Sequence, residues 1–226
     1  MRLATTFLLA LAYLRGETLQ EILNRMDADA VHFVGVKADL KRSDYNPVFK
    51  ESTEGAGSLT MMRHGKGVSA LVEFTAPDVK QLLFRENQFH EYLPKLNLVN
   101  EYDMGKSAGA VNQFVTLGFG STGKELQKNY AVTLRDAEAL KIGDKDVKAS
   151  KIELIPRSAE ALNLVKKIEF WIPEGKSYAV QLKIYQKSGD TNTVIYTSVQ
   201  VNPPGLTEHS IALKAPKNAK HEKINK

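Results

Sequence analysis

The 226-residue chain contains no cysteine. That excludes disulfides, thiolate metal sites, a cysteine nucleophile and a bacterial lipid-attachment cysteine. It does not fix the compartment, because exported chains can lack disulfides. Histidine is scarce. His32, His64, His90, His209 and His221 never pair at metal-ligand spacing, so no metal site is expected. No basic stretch is interleaved with aromatics, and the net charge is a mild +5, so nucleic acid is not an expected partner. Part of that charge sits in Lys217, Lys220, Lys223 and Lys226, which predicts a basic, flexible tail over 217–226. No apolar run approaches membrane-spanning length. Gly118-Phe-Gly-Ser-Thr-Gly123 lacks the Lys-Ser/Thr ending of a phosphate loop and does not fit the dinucleotide fingerprint, so it reads as a hinge or loop. There is no Gly-x-Ser-x-Gly elbow. No catalytic constellation stands out, no cofactor is implied, and the chain reads as non-enzymatic. Glu73 and Glu91 can be drawn as a carboxylate pair, but strand carboxylates are far more often exposed and solitary.

What is present begins with an export signal. Arg2 precedes residues 3–11, which are apolar or small apart from Thr5 and Thr6, and Ala10-Leu-Ala12 fits a small-x-small cleavage pattern. These features predict a signal peptide over 1–12 and an exported chain whose mature part starts near Tyr13. The alternative is an amphipathic first helix running into Tyr13 and Leu14. Against it, Phe7, Leu8, Leu9 and Leu11 have no polar face to balance them. Thr18-Leu-Gln-Glu21 is a capping box, and Leu19, Ile22, Leu23 and Met26 follow at helical spacing.

The stretch 57–94 organises the rest. Strand-like runs over 57–63, 68–75, 79–85 and 89–94 are separated by short turns, so they are antiparallel neighbours. Leu59, Met61 and Arg63 share a face of the first run, and Val68, Ala70, Val72 and Phe74 a face of the second. The third offers Leu82 and Phe84, and the fourth Phe89, Glu91 and Leu93. This meander presents a broad apolar concave face that something must cover. Val111, Phe114 and Val115 lie on one helical face of a following segment, and the two glycines flanking Phe119 suit a mobile connection. Whether that segment is a movable lid or a loop-anchoring helix stays open. Segments 43–47 and 137–146 read as loops. Further strands follow over 130–134, 148–156, 165–172, with Phe170 facing in, 178–184, with Leu182 facing in, and 192–201. Residues 13–216 therefore form a single domain of α+β class, mainly antiparallel β: one strongly curved sheet with helices on one side. An exported sheet with an apolar inner face suggests a binding protein for an apolar ligand.

The order of these elements resembles the bacterial outer-membrane lipoprotein carrier superfamily, the LolA-like proteins. The resemblance rests on Thr18-Leu-Gln-Glu-Ile-Leu23, Gly57-Ser-Leu-Thr-Met-Met-Arg63 and Phe74-Thr-Ala-Pro-Asp78. It continues through 82–94, Leu154-Ile-Pro156, the Pro173-Glu-Gly175 turn between paired strands, and Ser210-Ile-Ala-Leu-Lys-Ala-Pro216. The sequence departs from the family where Thr60 replaces an aromatic, His64 follows Arg63 in place of proline, and Ile211 and Leu213 replace a closing phenylalanine pair. The resemblance implies an incomplete β-barrel with a helical lid over a hydrophobic cavity. It implies a monomeric periplasmic carrier of acylated lipoproteins or other acyl lipids, taking cargo from an inner-membrane transporter toward an outer-membrane acceptor. The cavity wall would be Leu59, Met61, Val68, Val72, Phe74, Leu82, Phe84, Phe89, Leu93, Phe170 and Leu182. Arg63 would hold the lid, formed around Val111, Phe114 and Val115, through hydrogen bonds to lid loops. Two other readings remain. One is a periplasmic sensor or regulatory module that uses the same fold to bind a protein partner. The other is an enzyme on a half-barrel, with Glu73 and His90 as the place to look.

Overall fold

The computed structural model describes residues 16–65, 67–85, 87–105 and 115–224. The expected signal peptide and the expected lid residues Val111 and Phe114 lie outside the described residues. The first helix, α1, spans Leu19–Ala30. Its capping box closes as expected: the Thr18 hydroxyl accepts from the Glu21 backbone N–H at 3.3 Å, and the Glu21 carboxylate accepts from the Thr18 N–H at 2.7 Å. Ile22, Leu23 and Met26 form its buried stripe.

The strands of the first half are β1 (Gly35–Asn46), β2 (Glu51–His64), β3 (Gly67–Ala76), β4 (Lys80–Arg85), β5 (Gln88–Leu93) and β6 (Leu98–Asp103). The second half holds α2 (Gly123–Asn129), β7 (Tyr130–Leu134), β8 (Glu138–Ile142), β9 (Lys145–Pro156) and α3 (Ala159–Leu164). It continues with β10 (Val165–Pro173), β11 (Gln181–Gln186), β12 (Thr191–Val201) and β13 (Lys220–Ile224). One 13-stranded sheet runs in the order β13-β6-β5-β4-β3-β2-β1-β12-β11-β10-β9-β7, with β8 hairpinned onto β9. The first and last strands of this order do not pair, so the sheet stays open. It is antiparallel throughout except where β13 lies parallel to β6.

Three expectations are corrected. The tail expected to be flexible forms β13, because its backbone completes the edge of β6 from Lys220 opposite Leu98 to Ile224 opposite Tyr102. Residues 43–46, expected as a loop, continue β1, because Tyr45 pairs with Ser52 on one side and Thr191 on the other. The expected loop over 137–146 is the β8–β9 hairpin, turned at Gly143 in the left-handed region (φ 62°). In the first two of these cases pairing across the sheet overrides local turn propensity.

Strand direction alternates, so the sheet has two distinct ends. The β1–β2, β3–β4, β5–β6, β9–β10 and β11–β12 connections share one end, called the hairpin end below. The C-terminus of α1 meets the other end at the start of β1. Face parity divides the apolar residues into three clusters. Under α1 lie Ile152, Leu154, Ile168, Phe170, Ile172 and Leu182. On the same concave face, further along, lie Val36, Leu40, Leu59, Met61, Ala70 and Phe74, with Phe33 and Phe119 over them. On the convex face Met62, Leu71 and Leu83 are covered by Ile211, Leu206 and Leu213 from the segment before β13.

Candidate functional site

The concave face is built by register. Leu59 stands opposite Val72, and Met61 opposite Ala70. Ala70 in turn faces Phe84, and Val72 faces Leu82. Phe84 faces Phe89, whose ring stacks on it at 4.8 Å and reaches Tyr102 at 5.3 Å. Seven of the expected wall residues therefore pack in one cluster: Leu59, Met61, Val68, Val72, Phe74, Leu82 and Phe84. Phe89 extends the face through its ring contact. Leu93 is half-buried at the end of β5, opposite Leu98. Phe170 and Leu182 belong to the cluster beneath α1, at 1 % and 5 % exposure, so they are placed as helix-packing core.

The residues missing from the expected site are aromatic. Gly118 and Gly120 adopt left-handed conformations (φ 92° and 71°), and the turn between them sends Phe119 down onto the concave face. There its ring meets Tyr196 edge-on at 5.0 Å and Tyr178 at 6.1 Å. Partial burial pushes the Tyr196 phenol up to about 12. A side chain on Gly120 would place its Cβ 2.4 Å from the Phe33 ring, so glycine is required there for contact as well as conformation. The turn is tied down at three points. The Ser121 hydroxyl donates to the Thr116 carbonyl at 2.7 Å, and the Ala179 N–H donates to the Gly118 carbonyl at 2.9 Å. Arg63 Nη2 donates to the Gly120 carbonyl at 2.6 Å, with its guanidinium 5.5 Å over the Phe33 ring. Val115, at the end of the expected lid, packs against the same cluster. The glycines around Phe119 were visible in the sequence, but their meaning as an aiming device was not.

The polar residues sort by face. Glu91 lies on the concave side, held by Lys80 at 3.3 Å and Asn100 at 3.4 Å. Glu73 lies on the convex side, held by Gln81 at 3.2 Å and Lys214 at 2.7 Å. The sheet stands between these carboxylates, so they do not form an acid–base pair. His90 contacts Gln88 at 3.2 Å, and burial holds its ring below the usual histidine range. At the hairpin end a cavity of about 190 Å³ opens beside Phe74, flanked by Arg42 and Lys80. Arg42 lies 5.6 Å over the Phe74 ring and Lys80 6.0 Å from it. At the opposite end a cavity of about 310 Å³ separates the C-terminus of α1 from Phe119, Tyr178, Lys176 and Asn202. No helix among the described residues is long and apolar enough to cross a membrane.

No protein-family model matches the sequence, and no curated protein matches it either. Solved structures do match. An uncharacterized conserved protein from Thermus thermophilus superposes with a TM-score of 0.55 at 14 % identity, over 92 % of this chain and 100 % of that one. MucB superposes with a TM-score of 0.50 at 8 % identity, over 87 % of this chain and 63 % of MucB. A LolA superfamily protein from Nitrosomonas europaea matches at a TM-score of 0.41 and 11 % identity, over 88 % of this chain and 99 % of that one. Such likenesses speak to architecture alone. The fold is an open, mainly antiparallel half-barrel whose architecture resembles that of the Thermus protein and MucB.

Proposed function

We propose that this chain is a periplasmic carrier that shelters the acyl chains of a lipoprotein or related lipid against the concave face of β2 to β5. One observation supports this above the others. Val68, Val72, Leu82, Phe84 and Phe89 are only half-buried, although they adjoin one another on one face. Beneath α1, by contrast, Ile152, Leu154, Ile168 and Ile172 are 0 % exposed. A permanent core packs to the second standard, and a surface awaiting an apolar guest has the character of the first. The Phe119 turn occupies part of this face, and cargo would take its place. Burying an acyl chain gains about 0.8 kcal/mol per CH₂, on the order of 10 kcal/mol for a palmitoyl-length chain. Free diffusion through water is therefore closed to such cargo, and the carrier must offset most of that cost yet still release it. Flexible Met61 and aliphatic walls suit this compromise.

The test is uptake of a fluorescent fatty-acyl probe, together with native mass spectrometry of protein purified from its own periplasm. Co-purified acyl lipid and saturable probe uptake are expected. Phe84→Asn, at a half-buried position, is expected to weaken probe binding about tenfold while the circular dichroism spectrum stays unchanged. An apo mass with no probe uptake would mean that the face is packed core, and the protein-partner module would become the better reading. The Arg63 bond gives a kinetic prediction. A hydrogen bond from a charged donor contributes about 1.5–3 kcal/mol. Arg63→Leu is therefore expected to speed probe release about tenfold or more in a stopped-flow trace. An unchanged release rate would show that Arg63 does not restrain the Phe119 turn.

A further inference from the structure

The hairpin end leaves apolar side chains in water at most of its connections. Val48 and Phe49 in the β1–β2 turn are 78 % and 73 % exposed, and Leu96 in the β5–β6 connection is 67 % exposed. Val79 in the β3–β4 turn and Leu164 on α3 are each 49 % exposed, and Leu162 on α3 is 39 % exposed. Tyr45 and Ile155, near the last residues of β1 and β9, lie at the same end. The opposite end has Val31, Val34 and Val201. Scattered apolar residues need no explanation, but eight of the eleven exposed large apolar side chains among the described residues lie at one end of one sheet and are not scattered.

The leading turn is built to hold its shape. Asn46 Oδ1 accepts from the backbone N–H of Val48 at 3.0 Å and of Phe49 at 3.1 Å, forming an Asx turn. Pro47 stiffens it, Lys50 closes it in the left-handed region (φ 54°), and Gly189 of the β11–β12 turn sits beside Pro47. β2 runs through residues 51–55 before its first pairing with β3, at Ala56, so this tip stands forward of the β3–β4 turn. Val48 and Phe49 thus stay in water on a pinned support, where collapse onto the sheet would have hidden them.

The spacing of these tips decides the occupant. Each of these four connections offers one or two apolar side chains with charges beside them: Lys50 and Glu51 follow Phe49 in the chain, Asp78 pairs with Lys95 at 2.9 Å, and Glu160 and Lys166 flank Leu162 and Leu164 in the sequence. A stable protein interface needs roughly 800 Å² of continuous surface per partner, which separated tips do not supply. A bilayer interface accepts separated tips, because it is apolar everywhere beneath the headgroups and deforms around each one, while lysine stems reach back to phosphates. We propose that the hairpin end docks onto a lipid bilayer surface, with Val48 and Phe49 entering first. Because charges of both signs alternate along the rim, docking is driven by apolar insertion rather than by anionic lipid. The docked orientation presents the cavity beside Phe74 to the lipid. The docking stands independently of the acyl-carrier reading: vesicle binding reports on the rim, and probe uptake reports on the concave face.

The experiment is co-sedimentation with phosphatidylcholine vesicles and with phosphatidylethanolamine–phosphatidylglycerol vesicles. Wild-type protein is expected to bind both. The Val48→Ser/Phe49→Ser double variant is expected to bind at least about tenfold more weakly, with unchanged circular dichroism and unchanged acyl-probe uptake. In a Phe49→Trp variant, emission is expected to shift to the blue on adding either vesicle, over the constant background of Trp171, which is 3 % exposed. Three results would each overturn the proposal: no sedimentation with either vesicle, equal binding by the double variant, or binding confined to anionic vesicles with no blue shift.

Discussion

Gly57→Val is expected to lower the melting temperature by roughly 6–12 °C, whereas Gly67→Ala leaves it within about 2 °C. Both glycines lie in the β2–β3 hairpin, and neither has a positive φ. They differ in what a Cβ would meet. At Gly57 it would stand 2.2 Å from the Glu73 carbonyl oxygen and 3.0 Å from the Phe74 Cα. Those are backbone atoms, so no side-chain rotation relieves the contact, and the strands themselves must part. The β2–β3 register shifts between Ala56 and Gly57, so this is a bulge where one backbone crosses close over another. Overpacking of this kind costs on the order of 3 kcal/mol. At Gly67 the nearest atom is the His64 carbonyl oxygen at 3.7 Å, an ordinary contact. Equal melting temperatures for the two variants would show that the close approach at Gly57 does not constrain the sheet.

Lys167→Met is expected to destabilise the fold by about 2 kcal/mol at neutral pH, and by progressively less as the solution is acidified. Glu153 and Glu169 stand opposite each other on the convex face of β9 and β10, at 8 % and 5 % exposure. Lys167 bridges them, at 2.9 Å to Glu153 and 2.7 Å to Glu169. Arg135 also holds Glu153 at 2.6 Å, and the Tyr185 hydroxyl donates to Glu169 at 2.8 Å. The bonds from Arg135 and Lys167 hold Glu153 below the usual carboxylate range. Burial pushes Glu169 up, but the bonds from Lys167 and Tyr185 outweigh it and leave this group low as well. Depressed carboxylates contribute stability that is present above the ordinary glutamate value and is lost as pH falls through their folded values. Wild-type stability should therefore decline on the acid side. In Lys167→Met the two facing carboxylates repel at neutral pH, and taking up one proton relieves them. The figure of about 2 kcal/mol sits below the usual range for a broken buried pair because a third of Lys167 faces solvent. Urea titrations of both proteins at several pH values measure the gap. A gap that widens on acidification would refute this account of the ladder.

The legibility of the fold varied along the chain for physical reasons. The central meander was readable because its alternation is strong and the connections between its runs are short, so period and punctuation agreed. The α1 capping box was readable because its whole signal lies within four residues. Residues 43–46 and 220–224 were not readable as strands, since their pairing partners are distant in sequence and their own composition favours turns and tails. Of the candidate site, the concave side chains of β2 to β4 followed from parity alone. Phe170 and Leu182 point to that same face, but only the placement of α1 decides that a helix covers them. Phe119, Tyr178 and Tyr196 were missed because a turn that aims a ring has no period. The facing Lys-Ile-Glu runs at 151–153 and 167–169 were the one available signal for the convex ladder, and recognising it needed the register.

The segment carrying Leu206, Ile211 and Leu213 gives the wall of the half-barrel a backing of its own. Strands β2, β3 and β4 are anchored on their outer side by Met62, Leu71 and Leu83 whether or not anything rests on their inner side. A sheet packed on one face only would depend on its guest to stay folded, and its empty form would be a hazard to the cell. Here scaffold and container are separate faces of the same strands. On the carrier reading proposed above, the inner surface could then be emptied and refilled without cost to the scaffold, as a mould survives each casting.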